Sequence, residues 1–351
     1  MDARQILENA VAWGASDVFI VAGLPITSRR NGMIAKEESQ KLLPGDTEEF
    51  LKQVYAMANQ RNIDTLLSKG DDDFSFAIMG VSRFRVNAYK QRGSLSAVIR
   101  IITFSLPNPA ELLIPDYIIN LGNQGKGMVL VTGPAGSGKS TTLACMVDNI
   151  NKTREEHIIT LEDPLEFLHR HDKSIVSQRE INVDTENYVM ALRAALRQSP
   201  NVILLGEMRD YETIDVAMTA AETGHLLLST LHTIGAANTI DRIIDVFPAN
   251  QQRQIAIQLA SVLTAVVSQQ LVPAIDGRMV PAFEIMTVTP AIRNMIRDNK
   301  VPQIDALIYS SAKEDMISMD SSLLKLCQDH IIDKHTALAY ATNPEMLGRK
   351  L

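Results

Sequence analysis

Hydrophobic and polar positions over the first hundred residues indicate two helices and a set of strands. An amphipathic start predicts a helix whose apolar side holds Ile6, Leu7, Ala10 and Val11. An apolar run, DVFIVAGLPI, and a second helical segment, TEEFLKQVYAMANQ, follow it. The segments FSFAIMG, SRFRVNAYKQ and LSAVIRIITF then alternate as strands do. Because these strands are consecutive, we expect a small α+β domain with an antiparallel sheet at residues 1–104.

The segment SLPNPAELLIP, residues 105–115, contains three prolines. Proline removes a backbone donor and restricts the residue before it, so this segment cannot be one regular element. We therefore predict an interdomain linker here.

Beyond residue 115, apolar strands alternate with amphipathic helices. The strand-like runs are GMVLVT, HIITLE, NVILL and HLLLST, and the helices are one that begins at Lys139, TENYVMALRAALRQ and YETIDVAMTAAE. This alternation is typical of a parallel sheet covered on both faces. The tail from Gln251 is predicted to be mostly helical, interrupted by LVPAIDGRMVPAFEIM, in which Asp276-Gly277 suits a hairpin turn. Residues 116–351 should thus form an α/β domain with a helical C-terminal region.

Composition narrows the possible partners. The 351 residues suffice for two domains, and the net charge of −7, from 41 acidic and 34 basic side chains, does not favour binding to nucleic acid. No apolar run approaches the roughly 20 residues that span a bilayer, and the N-terminus is charged, so we expect a cytosolic chain. The two cysteines, Cys145 and Cys327, form no CxxC pair, which argues against a zinc knuckle or a disulfide framework.

The segment GPAGSGKS matches the phosphate-binding pattern GxxxxGK[ST] and lies between an apolar strand and a helix. In such a loop the backbone amides surround the β-phosphate, the lysine reaches the β and γ oxygens, and the serine ligates Mg²⁺. We predict an ATP and Mg²⁺ site made by Gly133, Pro134, Ala135, Gly136, Ser137, Gly138, Lys139, Ser140 and Thr141.

Hydrolysis also needs carboxylates to position water and metal. In NVILLGEMRD, Gly206 stands where an aspartate is usual, and Glu207 follows it. Glu162 and Asp163 end the strand HIITLE. We interpret Gly206 as allowing a sharp turn, Glu207 as polarising water, and Glu162 with Asp163 as supporting Mg²⁺. The alternative for each acid is a solvated strand end or a helix cap.

Two histidines, His225 and His232, flank HLLLSTLHT. Their spacing of seven is not a metal-binding pattern, and a single histidine is usually a structural hydrogen-bonding group. From the residues alone, neither is assigned a role.

The set GPAGSGKSTT, LEDPLEF, ALRAALRQSPNVILLGEMRD, TAAETGHLLLSTLHT, TIDRIIDVFP and AIRNMIRDN closely resembles the type IV pilus retraction ATPases, the PilT branch of the secretion ATPase superfamily. The resemblance spans nearly the whole chain. It implies a hexameric ring of subunits, each with a PAS-like N-terminal domain followed by a RecA-like P-loop ATPase domain.

The resemblance also implies site residues. Glu162 and Asp163 match the family's Asp box, Glu207 matches its catalytic base, and His225 and His232 match its His box. In the family, arginines from the N-terminal domain reach the γ-phosphate; Arg85 and Arg100 are favoured here, and the other candidates are Arg83 and Arg92. Long side chains on a strand that extend into solvent are the alternative.

The segment AIRNMIRDN resembles the family's AIRNLIRE motif, which is linked to retraction and includes Ala291, Ile292, Arg293 and Asn294. The alternative is an amphipathic surface helix with Ile292, Met295 and Ile296 inward and the arginines outward. The residues do not separate the two interpretations.

The function implied by the resemblance is a Mg²⁺-dependent ATPase that powers type IV pilus retraction, and hence twitching motility, by depolymerising pilin into the inner membrane. Its implied partners are other copies in a homohexamer, a platform protein of the inner membrane, and paralogous pilus ATPases. It would be peripheral to the cytoplasmic face of that membrane. The alternatives are a pilus-assembly or accessory secretion ATPase, a nucleotide-dependent scaffold without useful turnover, and a nucleic-acid translocase, which the acidic balance disfavours.

Overall fold

The structure is a computed structural model that describes residues 2–30, 32–37, 40–102, 106–311 and 315–351. The chain divides into two compact units, Met1–Ser105 with Glu166–Leu168, and Leu106–Leu165 with His169–Leu351. The predicted domain end at residue 104 and the predicted linker's first residue, Ser105, lie outside the described residues. Both boundaries stay predictions.

The first unit contains an antiparallel sheet with helices packed on it, as predicted. Its described elements are α1 (Ala3–Ala12), β1 (Ala15–Ile20), β2 (Thr27–Arg30), β3 (Met33–Lys36), α2 (Pro44–Met57), α3 (Asp64–Lys69), β4 (Asp71–Ile78), β5 (Ser82–Gln91) and β6 (Ser94–Ile102). The strand order is β3-β2-β1-β6-β5-β4, and every pair is antiparallel. Alternate residues of β5, such as Phe84 and Val86, enter the core, which leaves Arg83 and Arg85 on the other face.

The second unit is built on a mixed sheet with the order β14-β13-β12-β7-β11-β10-β8-β9. Its strands are β7 (Gly127–Thr132), β8 (His157–Glu162), β9 (Ile175–Glu180), β10 (Val202–Leu205), β11 (Leu226–Leu231), β12 (Leu263–Pro273), β13 (Met279–Thr287) and β14 (Met316–Ile317). The pairs from β12 to β9 are parallel, and β13 and β14 add antiparallel pairs at one side. The prediction of an α/β domain with a parallel sheet is confirmed.

Helices cover both faces of this sheet. They are α4 (Asp116–Asn120), α5 (Lys139–Thr153), α6 (Tyr188–Ala195), α7 (Tyr211–Glu222), α8 (Ala236–Asp245), α9 (Gln252–Val262), α10 (Pro290–Arg297), α11 (Gln303–Ser310), α12 (Met319–Gln328), α13 (Lys334–Tyr340) and α14 (Pro344–Gly348). Along β7, Met128 and Leu130 pack on one side, whereas Val129 and Val131 pack with α5 on the other. Burial on both faces explains the continuous apolar sequence of this strand.

Two predictions in the second unit were wrong. The stretch from Leu263 to Gln270 belongs to β12 and not to the helical tail, because its mixed sequence, LTAVVSQQ, has no clear period that separates a helix from a strand. The strand β9 was not predicted, since its sequence, IVSQRE, is polar where an edge strand meets solvent. The hairpin at Asp276-Gly277 is confirmed, with β12 and β13 paired on either side.

The parallel strands bring several chain segments to one edge of the sheet. Leu231 pairs with Thr132, Leu205 pairs with Ser229, and Leu161 pairs with Leu205, so β7, β11, β10 and β8 end close to one another. In parallel sheets, ligands bind at the carboxyl ends of the strands. Within the part of the chain that the structure describes, none of the helices combines the length and the apolar character that a bilayer crossing requires.

Candidate active site

The glycine-rich loop between β7 and α5 folds tightly against β12. Gly133 has a φ of 141°, and a Cβ there would lie 2.1 Å from the carbonyl oxygen of Gln269. A Cβ on Gly138 would lie 2.8 Å from Nε2 of the same glutamine. Gln269 Oε1 in turn accepts a hydrogen bond from Thr142 Oγ1 at 2.7 Å. Gln269 therefore supports the loop from behind, and only glycine allows such close approach at these positions.

The polar groups of the loop suit a phosphate. The Lys139 side chain is only 8% exposed, and its Nζ donates to the carbonyl oxygens of Gly133 and Pro134 at 2.9 Å each. Within the described residues, the buried Ser137 hydroxyl has no hydrogen-bond partner. Buried hydroxyls are normally paired, so this one fits a site that is completed by a bound group. The loop residues thus match the needs of a nucleoside triphosphate.

The acidic side chains predicted for the site follow neighbouring strands. Glu162 is the last residue of β8, and Glu207 lies two residues beyond the end of β10, which pairs directly with β8. The phenol of Tyr188 on α6 has a raised pKa because it is buried and because the charges of Glu207, Asp163 and Glu162 act on it. The Tyr188 hydroxyl is therefore within electrostatic range of all three carboxylates.

Among the described residues, no three His, Cys, Asp or Glu side chains stand close enough to hold a metal ion by themselves. Mg²⁺ in nucleotide sites usually keeps several waters and takes only one or two protein ligands besides phosphate oxygens. The hydroxyl of Ser140 and the carboxylates at the end of β8 supply oxygen ligands of the type that Mg²⁺ prefers. The donor set therefore fits Mg²⁺ bound together with a nucleotide.

Both carboxylate oxygens of Glu207 contact basic side chains. Arg209 Nε lies 2.7 Å from Oε1, and His232 Nε2 lies 3.4 Å from Oε2. The Glu207 side chain is 14% exposed. His232 directly follows β11, whose last residue pairs with the end of β7. The structure thus brings the acid after β10 and the histidine after β11 together at the edge that holds the phosphate loop.

The missing aspartate at Gly206 has a steric explanation. A Cβ at this position would lie 2.9 Å from the Tyr188 hydroxyl and 3.2 Å from the Leu161 carbonyl oxygen. The backbone of Gly206 is not in the left-handed region. Glycine therefore leaves space for these two groups, and the chain bends at Gly206, as the sequence suggested, without left-handed backbone.

His225 lies away from these groups. It precedes β11 at the opposite end from His232, roughly 20 Å away at the usual rise of a strand. Its Nδ1 lies 2.9 Å from the Ala220 carbonyl oxygen and 3.2 Å from Thr223 Oγ1. These contacts give His225 a structural role at the end of α7 within this unit.

Comparison with known proteins identifies the family. Residues 2–283 match the model of the type II/IV secretion system protein family, which is well over half of the chain. The chain belongs to this family. It is 43% identical over 345 residues to the type IV pilus retraction ATPase PilT of Pseudomonas aeruginosa, covering 98% of this chain and 99% of that protein.

Two further members of this secretion-system family are similar. A twitching motility protein of Neisseria gonorrhoeae is 47% identical over 277 residues, 79% of this chain and 74% of that protein. A crystal structure of the pilus retraction motor PilT with bound ADP has a TM-score of 0.91 and 43% identity, covering 99% of each chain. The resemblance inferred from the sequence motifs is confirmed.

Two of the candidate arginines, Arg85 and Arg100, have carboxylate partners within the first unit. Arg85 donates from Nη2 and Nε to the two oxygens of Asp73, at 2.6 and 3.1 Å. Arg100 is directly opposite Arg85 on β6 and contacts Asp17 at 3.2 Å. Arg83 shares their face, opposite Ile102. These three arginines lie together, which suits a shared anionic ligand.

Arg92 is separated from that group. It lies in the turn between β5 and β6, seven residues beyond Arg85, with a φ of 49°. At the usual rise of a strand this is roughly 20 Å from Arg85.

The helix α10 contains most of the segment AIRNMIRDN, which resembles a motif of the pilus retraction ATPases. Ile292 and Ile296 are fully buried, and Met295 packs beside them. Arg293 donates from Nη1 to the Ser261 carbonyl oxygen at 3.1 Å, so it contacts α9. Ala291, on the same turn, is exposed, as the amphipathic pattern predicts. These contacts anchor the helix.

Three residues of the site were not found from the sequence. Gln269 lies on a strand that was predicted as helix, Tyr188 was counted only as part of an amphipathic helix, and Arg209 carried no motif of its own. The spacing of Glu207 and Arg209, two residues apart after a strand, is a signal that could have indicated their contact.

Proposed function

We propose that this chain is a Mg²⁺-dependent ATPase that powers type IV pilus retraction as a homohexamer. Near full-length similarity to the retraction ATPase PilT, at 43% identity, is the observation that carries the proposal. The glycine-rich loop, the contact between Glu207 and His232, and the buried Lys139 support the hydrolytic part of it.

Binding would begin at the loop of Gly133–Thr141. Lys139 would exchange its two backbone carbonyl partners for β- and γ-phosphate oxygens, at little cost because its ammonium group stays hydrogen-bonded throughout. Ser140 would ligate Mg²⁺, with Glu162 and Asp163 supporting it. The bound metal would neutralise charge that develops on the phosphate oxygens.

Hydrolysis would use Glu207 as the base that orients and polarises the attacking water. His232 would complete the hydrogen bonding at the second carboxylate oxygen, from which it lies 3.4 Å away. The limited exposure of Glu207 strengthens these electrostatic contacts relative to bulk water.

Arginines of the first unit would also take part in hydrolysis once the ring is assembled. Arg85 and Arg100 would act on a nucleotide through exchange of their Asp73 and Asp17 partners for phosphate, in the manner of arginine fingers, which contribute about a thousandfold or more in rate. The ring would work at the cytoplasmic face of the inner membrane against a platform protein, alone or with a paralogous ATPase. Depolymerised pilin would return to the membrane.

The test is the substitution Glu207→Gln in the purified full chain. It removes the negative charge but keeps the shape, so ATP binding should persist while steady-state phosphate release falls at least a hundredfold. Binding is followed with a fluorescent ATP analogue and turnover with a phosphate assay, both with and without Mg²⁺. Turnover that survives this substitution would remove Glu207 from its role, and an unmodified chain that binds ATP without hydrolysing it would indicate a scaffold instead.

A further inference from the structure

The short segment after β10 has a fixed backbone. Thr230 Oγ1 donates to the Gly206 carbonyl oxygen at 2.6 Å, and the Met208 amide donates to the Thr230 carbonyl oxygen at 3.1 Å. Two residues further on, Asp210 caps α7 by accepting from the Thr213 amide at 2.8 Å. Hydrogen bonds thus hold the segment from Gly206 to Asp210 at both ends.

This fixed backbone sets the directions of the side chains. Met208 is buried in the core. Arg209, the next residue, is largely exposed, and its Nε reaches back to the Glu207 carboxylate. Their contact at 2.7 Å follows from this local geometry.

Glu207 and Arg209 differ in their exposure to water. Glu207 is 14% exposed, whereas Arg209 is 73% exposed. The contact with Glu207 raises the pKa of Arg209, and the nearby Tyr188 and Asp163 raise it further. Exposed ion pairs contribute little to stability, so stabilising the fold is not a sufficient reason for the pair of Glu207 and Arg209.

We propose that Arg209 is a positioning residue for ATP hydrolysis, which fixes the Glu207 carboxylate through Oε1 and leaves Oε2 for the attacking water beside His232. The inference rests on the proposed function, because it assigns Arg209 an effect through the proposed base. A carboxylate restrained in one orientation needs no reorganisation during the reaction, and this is the usual source of electrostatic catalysis.

The experiment compares Arg209→Ala and Arg209→Lys with the unmodified chain, with Glu207→Gln and with a matched control, Arg278→Ala. Arg278 forms the same kind of pair two residues along the chain, 2.7 Å from Asp276, and is 70% exposed, but it lies on the hairpin between β12 and β13. The measurements are kcat, KM for ATP and the melting temperature.

We expect Arg209→Ala to lower kcat at least tenfold while KM changes less than threefold, because the group orients the base and does not bind ATP. Lysine keeps the charge but lacks the planar guanidinium, so Arg209→Lys should recover part of the rate. Arg278→Ala should leave kcat unchanged, and both alanine variants should melt close to the unmodified chain.

A kcat for Arg209→Ala within twofold of the unmodified chain, or above it, would overturn the inference, and an increase would show that Arg209 inhibits Glu207 instead of positioning it. An equal loss in Arg278→Ala, or a loss of rate that follows a loss of folding, would also overturn it. If Glu207→Gln is inactive while Arg209→Ala is normal, only this inference fails. If Glu207→Gln retains turnover, the proposed role of Glu207 as the base fails together with this inference. If the unmodified chain hydrolyses no ATP, the proposed function fails as well.

Discussion

The side chain of His169 is held largely out of water in the segment between β8 and β9. Its backbone amide donates to Gln178 Oε1 at 2.8 Å, and burial lowers the pKa of its imidazole to about 4. A neutral ring is therefore part of the folded state at neutral pH.

This histidine predicts a loss of stability in acid. The imidazole of His169 takes up a proton near pH 6.5 in the unfolded chain but only near pH 4 in the folded chain. Between these pH values the chain therefore gains a proton when it unfolds. The free energy of unfolding should fall as the pH drops through this window, by about 2 kcal/mol between pH 7 and 5. Urea denaturation at the two pH values measures this change.

The variant His169→Gln isolates the effect of this one group. Its difference in unfolding free energy from the unmodified chain should shift between pH 7 and pH 5. A pH-independent difference for His169→Gln would contradict the assignment.

Three elements meet closely at the end of β10. Gly206 leaves room for the Tyr188 hydroxyl from α6 and for the Leu161 carbonyl oxygen from β8. This packing brings the phenol of α6 near the acids at the ends of both strands.

We predict that Gly206→Ala destabilises the chain by about 1–3 kcal/mol, because the added methyl group overpacks this junction. Adding Tyr188→Phe removes the hydroxyl that would lie 2.9 Å from the new methyl group, so it should restore part of the lost stability. The Leu161 carbonyl oxygen, at 3.2 Å, would remain. Chemical denaturation measures both. Gly125→Ala is the control, since a Cβ there meets nothing within 4 Å. Independent, additive effects of the two substitutions would contradict a direct contact.

The sequence was sufficient to predict the helices and strands that have strong patterns and the position of residues at strand ends. Glu162 and Glu207 could be placed at one edge because parallel strands all end there, whatever the exact strand order. His232 was assigned only through the family resemblance. The first part of β12 was missed because its mixed sequence, LTAVVSQQ, has no distinguishing period, and β9 because it is a polar edge strand. Gln269 and Tyr188 act through contacts between distant parts of the chain, which no local pattern encodes.

At the scale of the whole molecule, the predicted nucleotide-binding residues and the proposed retraction segment occupy different parts of one unit. The phosphate loop lies at the carboxyl ends of the parallel strands, whereas α10 packs on α9 and contacts Ser261, just before β12 begins. The same β12 carries Gln269 behind the phosphate loop. A single strand thus connects the two regions.

The direction of the proposed motor can be tested in cells. If the chain powers retraction, deletion should leave more pili on the surface and abolish twitching, since assembly continues without removal. A copy with Glu207→Gln should behave like the deletion, because the protein is present but cannot hydrolyse ATP, and the unmodified copy should restore both properties. Pili are counted by electron microscopy and twitching by colony spreading. Cells without pili would indicate an assembly ATPase, and unchanged pili and twitching would contradict a retraction role.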